Sequence, residues 1–200
     1  MRLVLALYSG SYETFMYEKL RITMINTNEL LSYDYFRLFG LPPEYEVDGL
    51  LVQQRYRELQ KEFHPDNYVM ASESDNTLSL QLSGYINQAF DTLTNPLLRA
   101  IYLLKHYGVE VDLVHDTTFP AEFLLEQIEL RERISEAENA ADFEELEDIE
   151  NQLKGRIQTL AIEIGELFMV KEYAKIREPL KKLAFYSKLS QLVDGILANL

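Results

Sequence analysis

The histidines of this chain, His64, His106 and His115, are the side chains best suited to exchange a proton near neutrality. None falls in an H-E-x-x-H or comparable ligand spacing, and the chain has no cysteine. A histidine metal site, a thiolate nucleophile and a disulfide framework are therefore not expected. His106 and His115 read as structural or solvent-facing. His64 differs, because it opens the tripeptide His64-Pro65-Asp66, which sets an imidazole and a carboxylate on either side of a proline. A stiff loop of that kind offers directional polar contacts to a partner. Enzymatic chemistry would need a nucleophile with its base, a phosphate-cradling glycine loop or converging carboxylates, and none is written here. The expectation is a protein that is not an enzyme and takes no cofactor and no metal. The competing reading of the tripeptide is a helix-capping loop with no partner.

The elements around the tripeptide are helical. Tyr33 to Phe39 reads as a short aromatic helix stopped by Gly40 and Pro42-Pro43. After Asp48, a good N-cap, Val52, Tyr56, Leu59 and Phe63 recur on one helix face. Pro65 must end that helix, which puts the tripeptide in a loop. A third helix carries Leu78, Leu82, Ile86, Ala89 and Leu93, and can pack antiparallel to the second. Asn95-Pro96 starts a fourth, which Gly108 stops. Residues 109–118 break the period and read as a linker. Residues 1–32 show no clean period, contain a second possible start at Met24, and read as an N-terminal extension of unknown role.

Beyond the linker, 119–200 reads as a three-helix bundle, with helices from about Pro120 to Ala137, Asp142 to Phe168 and Lys171 to Leu200. The middle helix carries a core stripe of Phe143, Leu146, Ile149, Leu153, Ile157, Leu160, Ile164 and Leu167. Pro179 should kink or divide the last. On the first of the three, Phe123, Leu130 and Ile134 fall together, while Leu124, Leu125 and Ile128 cluster roughly 150° away. That second stripe exceeds what one bundle face needs, with Glu129 and Glu132 at its border and Phe185 of the last helix off its own stripe. Burial of both stripes between helices is the alternative. Glu136 to Glu150 holds eight acids and no base, which suits a solvated turn and helix start, ahead of a docking surface for a basic partner or a carboxylate metal site.

Bulk composition narrows the partners. With 33 acids against 19 bases and a net charge of −14, the chain lacks the clustered cations that phosphate binding needs, so no nucleic acid is expected. No window approaches the roughly 18 consecutive apolar residues of a membrane span. A cytoplasmic protein with protein partners is expected.

The tripeptide in its helical setting, with Tyr85-Ile86-Asn87-Gln88-Ala89-Phe90 on the third helix, resembles a J domain. The resemblance narrows at Asp34-Tyr35-Phe36, Leu38-Phe39-Gly40-Leu41-Pro42, Phe63-His64-Pro65-Asp66, Ile86-Asn87-Gln88-Ala89 and Asn95-Pro96-Leu97-Leu98-Arg99-Ala100. These stretches are similar to the HscB family of J-type co-chaperones, and the similarity runs on through Phe123 to Glu132. It covers roughly residues 33–200 and implies an all-α fold, with a J domain over 33–108 built on an antiparallel helical hairpin with the His-Pro-Asp loop, and the three-helix bundle behind it. It implies that His64, Pro65 and Asp66 engage an HscA-type heat-shock chaperone and promote its ATP hydrolysis. Arg55, Arg57 and Lys61 could add a modest basic docking face, or belong to an ordinary solvated helix face. It implies equally that Leu124, Leu125, Ile128, Glu129, Glu132 and Phe185 contact IscU, the scaffold on which iron-sulfur clusters are built. Eukaryotic relatives often carry an N-terminal cysteine zinc module, so the absence of cysteine points to the bacterial type. The position after the tripeptide is Asn67, where the family commonly has Lys, which bears on partner choice. A J protein with an unrelated client and a non-catalytic helical interaction protein are the rival readings.

Overall fold

The computed structural model of the chain describes residues 27–68, 73–113 and 118–200. Residues 1–26, including Met24, and residues 114–117, including His115, lie outside them. Among the described residues every regular element is helical. The chain divides into two compact units between Thr94 and Asn95.

The first unit is a helical hairpin with two short helices leaning on it. Helices α1 (Thr27–Leu30) and α2 (Tyr35–Leu38) come first, the latter capped by Asp34, whose carboxylate accepts from Arg37 N at 3.0 Å. Gly40 at φ 64 turns the chain away, a conformation that costs glycine nothing. Helix α3 (Gly49–Phe63) begins where Asp48 accepts from the amides of Leu50 and Leu51 at 2.9 and 3.2 Å. Helix α4 (Glu73–Thr94) returns beside it. Val52, Leu59 and Phe63 of α3 are buried, as are Leu82, Ile86, Ala89 and Leu93 of α4. Each of these side chains except Ala89, which has only a methyl to bury, contributes about 1.5–3 kcal/mol relative to exposure. Side chains at the seam show the antiparallel sense: Tyr56 stacks on Phe90 at 4.2 Å, while Gln60 donates to Asn87 at 2.6 Å and accepts from Ser83 at 3.3 Å. Tyr85 of α4 packs edge-on to Tyr35 at 5.2 Å and donates its hydroxyl to Tyr33 O. The aromatic helix is thereby fixed to the hairpin. The position expected to bury Leu78 instead buries Ser79, whose hydroxyl is satisfied by Asn76 O at 2.9 Å.

The second unit holds helix α5 (Pro96–His106), then α6 (Ala121–Ala140), α7 (Phe143–Met169) and α8 (Arg177–Leu197). Asn95 caps α5 through the amides of Leu97 and Leu98, and Gly108 at φ 76 ends it. The division in space does not coincide with the expected boundary at 108. Helix α5 buries Ala100, Leu103 and Leu104 and packs on α7 and α8, with Tyr107 stacked on Tyr173 at 5.0 Å. Its apolar face therefore closes the second unit.

Helices α6, α7 and α8 share one core of Phe123, Leu130, Ile134, Leu146, Ile149, Leu153, Tyr186, Leu189 and Val193. Ala141, left-handed at φ 51, and Asp142, which caps α7 through Glu145 N at 3.1 Å, make the turn between the first two. The α7 stripe is buried at Leu146, Ile149, Leu153 and Ile164 and half-buried at Ile157, Leu160 and Leu167. Phe143 departs from it, 49% exposed, because it stands at the first helical position beside a turn where α6 has already ended. Pro179 neither kinks nor divides α8, since in the first turn its missing N–H has no helical acceptor to lose. The break comes earlier, at Lys171 (φ 59) and the 3₁₀ turn Tyr173–Ile176. Lys181 is buried; its ammonium donates to Thr118 O and lies 4.7 Å from the Phe119 ring centre, which ties the start of α6 to α8.

Candidate functional site

The corner of the α3–α4 hairpin carries the tripeptide. Phe63, buried, is the last residue of α3, and His64 leaves the helix in extended geometry (φ −63, ψ 134) because proline follows. Pro65 then opens a 3₁₀ turn, Pro65–Tyr68. The Nδ1 atom of His64 accepts from the backbone N–H of Asp66 at 3.3 Å, with the Asp66 carboxylate 3.6 Å away. A neutral ring so arranged carries its proton on Nε2, leaving that atom to donate outward. Both side chains are open to solvent, His64 at 51% and Asp66 at 85%. Asn67, the departure in the sequence pattern, has a structural task. Its amide donates to Lys61 O at 2.8 Å and to Glu62 O at 3.5 Å, while its backbone N–H reaches His64 O at 2.9 Å. Two carbonyls of the last turn of α3, those of Lys61 and Glu62, thereby gain a donor, and the corner is held from below.

The three cations expected beside the tripeptide separate. Arg57 and Lys61 are exposed, one turn apart on the face that leads to His64. Arg55 does not join them: its side chain is 12% exposed and donates to Glu58 Oε2 at 3.1 Å. Two residues along a helix turn the side chain about 200°, which points Arg55 away from Arg57.

On α6 the two apolar stripes part as their angles require. Phe123, Leu130 and Ile134 are buried, whereas Leu124, Leu125 and Ile128 are 43, 60 and 54% exposed. Glu129 and Glu132 are exposed beside them. Phe185 of α8 is half-buried and meets α6 at Phe123, ring centres 5.4 Å apart and nearly perpendicular. It thus reaches the residue that precedes Leu124. The acids from Glu136 to Glu150 spread along the α6–α7 turn: Asp142 caps α7, Glu145 binds Arg133 at 2.6 Å, and Glu150 pairs with Lys154. Among the described residues no three carboxylate or imidazole groups come together as a metal site would require. The sequence reading missed a buried-edge network in which Tyr186 accepts from Arg156 at 2.8 Å and donates to Glu126 at 2.8 Å. Its members are far apart in sequence, and no local pattern announces it.

An antiparallel helical hairpin with His-Pro-Asp exposed at its corner, followed by a separate helical bundle, defines a J-domain co-chaperone with a second, bundle-type module. A family model described as the HSCB C-terminal oligomerisation domain matches residues 119–194. The co-chaperone protein HscB homolog of Aliivibrio fischeri is 36% identical over 164 residues, covering 82% of this chain and 96% of that one. Chaperone HscB from Vibrio cholerae superposes with a TM-score of 0.70 at 34% identity, covering 84% of this chain and 99% of that chain. Human co-chaperone protein HscB superposes with a TM-score of 0.72 at 29% identity, covering 81% of each. The chain belongs to the HscB family of co-chaperones. No described helix is long and apolar enough to cross a membrane.

Proposed function

We propose that this protein stimulates ATP hydrolysis by an HscA-type heat-shock chaperone and delivers an IscU-type scaffold to it during iron-sulfur cluster assembly in the cytoplasm. The observation that carries the reading is the exposed His64-Pro65-Asp66 corner on a hairpin of an HscB-family chain. Its imidazole and carboxylate act as directional contacts for the partner, with Arg57 and Lys61 on the adjacent face, and the bond-breaking chemistry belongs to the partner. The exposed side chains Leu124, Leu125 and Ile128, with Glu129, Glu132 and the edge of Phe185, supply the scaffold contact. An apolar centre ringed by charge is the anatomy of a specific protein interface. Single-turnover ATP hydrolysis by the HscA-type chaperone, with and without this protein and the scaffold, tests the proposal. The expected result is acceleration by the protein and further acceleration when the scaffold is added. No acceleration in either case would reject it.

The description of the matched family model favours a second use of residues 119–194, self-association. Sedimentation of the purified protein across concentrations separates the two, because scaffold binding does not require a dimer.

A further inference from the structure

Between the middle of α7 and the first half of α8 lies a cleft of about 390 Å³, within the range of small-molecule sites. Gly155, Arg156, Thr159 and Leu160 share one strip of α7, and Lys182 and Tyr186, one turn apart, close it from α8. None of the residues that line it is an acid. The cleft lies apart from the exposed strip of α6: Glu126, to which Arg156 is bound, projects from that helix roughly 160° away from Leu124 and Ile128. Arg156 gives Nη1 to Tyr186 at 2.8 Å and to Glu126, while its Nε and Nη2 meet no acceptor among the described residues. The Lys182 ammonium stands 3.7 Å from the Glu178 carboxylate, a solvent-screened pair that an incoming anion can displace. Gly155 is the bare floor. Inside a helix glycine is less stable than alanine, and a Cβ on Gly155 would meet nothing within 4 Å, so packing does not require it.

We propose that this cleft is a binding site for a small organic anion. Arg156 and Lys182 hold its carboxylate or phosphate group, and an apolar body lies over Gly155 between Leu160 and the Tyr186 ring. The guanidinium is prepared for the task, because the bonds from Nη1 to Tyr186 and Glu126 fix its plane and leave the other edge to fork onto two oxygens of one head group. Lys182 adds a point charge from across the cleft. Charge selects the occupant. In a chain of net charge −14 most of the surface repels an anion, whereas here two bases and no acid line a recess that concentrates their field. The walls set the second requirement. Leu160, the Tyr186 ring and Thr159, whose hydroxyl is already given to Gly155 O at 3.0 Å, favour a ligand with an apolar part over a hydrated inorganic ion. A ligand so placed touches α7 and α8 together and favours the folded bundle. The site is independent of the chaperone and scaffold contacts assigned above.

The test is an amide NMR titration of the isotope-labelled full chain with phenyl phosphate and with benzoate, using benzyl alcohol as the uncharged control. At least one anion is expected to give saturable shifts confined to the amides around Gly155, Arg156, Thr159, Lys182 and Tyr186, and the tighter of the two names the head group. Benzyl alcohol should give none. Lys182→Gln is expected to weaken the tighter probe about tenfold. Gly155→Leu should abolish the shifts by filling the cleft, with a urea midpoint equal to or above wild type because leucine is the better helix former. No shifts from either anion would overturn the proposal, as would an equal response to benzyl alcohol. Shifts that do not saturate, or that spread over the surface bases, would mean an adventitious ion only and overturn it too. Full affinity in Lys182→Gln overturns it whatever the stability of Gly155→Leu.

Discussion

His64 and Asn67 divide the work of the hairpin corner between display and support. The His64 side chain is half exposed and accepts a single local hydrogen bond, from the backbone N–H of Asp66. His64→Gln is therefore expected to leave the urea unfolding midpoint nearly unchanged, since exposed positions change stability by about 0.5 kcal/mol or less. The same variant should abolish stimulation of the partner ATPase, and full stimulation would remove the tripeptide from the mechanism. Asn67 is the opposite case, exposed but structurally committed through Lys61 O, Glu62 O and His64 O. Asn67→Ala should cost about 1 kcal/mol of stability, the net worth of a typical hydrogen bond. It should also raise the concentration needed for half-maximal ATPase stimulation, because the corner loses its lower support.

Helix α6 serves two masters through the angular separation of its stripes. Leu130 faces the bundle core at 4% exposure, while Leu125 stands at 60%. The same substitution must then give opposite readouts at the two positions. Leu130→Ala should lower unfolding stability by about 2–5 kcal/mol, as core truncations do. Leu124→Ala, Leu125→Ala and Ile128→Ala should change stability little and each weaken scaffold binding by about 1–2 kcal/mol, as interface residues do when truncated. Calorimetry against the scaffold paired with urea unfolding distinguishes the patterns. Large unfolding losses with unchanged affinity in the surface set would exclude that face as the interface.

At the scale of the whole molecule, the pairing of α7 with α8 carries a pH dependence. Asp194 of α8 has its carboxyl held above the usual range, chiefly by a hydrogen bond with Glu150 and then by burial. Glu150 is held below it, chiefly by the Lys154 ammonium and then by Asp194. The signs oppose. The lowered Glu150 contributes stability above its unfolded value, lost as pH falls through its folded one. The raised Asp194 contributes below its unfolded value, and that contribution is lost as pH rises through its folded one. Asp194→Asn removes the second effect and the charge repulsion with Glu150. It should leave stability at neutral pH equal or higher and make the fall on acidification steeper, as measured by urea midpoints from pH 7 down to the carboxylate range. A shallower acid profile would overturn the raising of the Asp194 carboxyl by Glu150.

Local sequence determined the helices, their caps and the exposed corner of this protein, because those features depend on residues within a few positions of one another. Asp34, Asp48, Asn95 and Asp142 cap the helices they precede, Gly40 and Gly108 adopt the positive φ that ends two segments, and Pro65 forces the tripeptide out of α3. The two stripes of α6 were legible for the same reason, since angular position follows from spacing alone. What tertiary structure decided is which surfaces meet. The apolar face of α5 reads identically whichever unit it joins, and its packing on α7 and α8 moves the division of the chain to Asn95. Arg55 and Arg57 look alike in sequence, yet Arg55 is covered and bound to Glu58 while Arg57 is open. Phe143 continues a perfect helical period but outlasts the helix it would pack on. Periodicity specifies direction around a helix; only the assembled neighbours specify what, if anything, lies there.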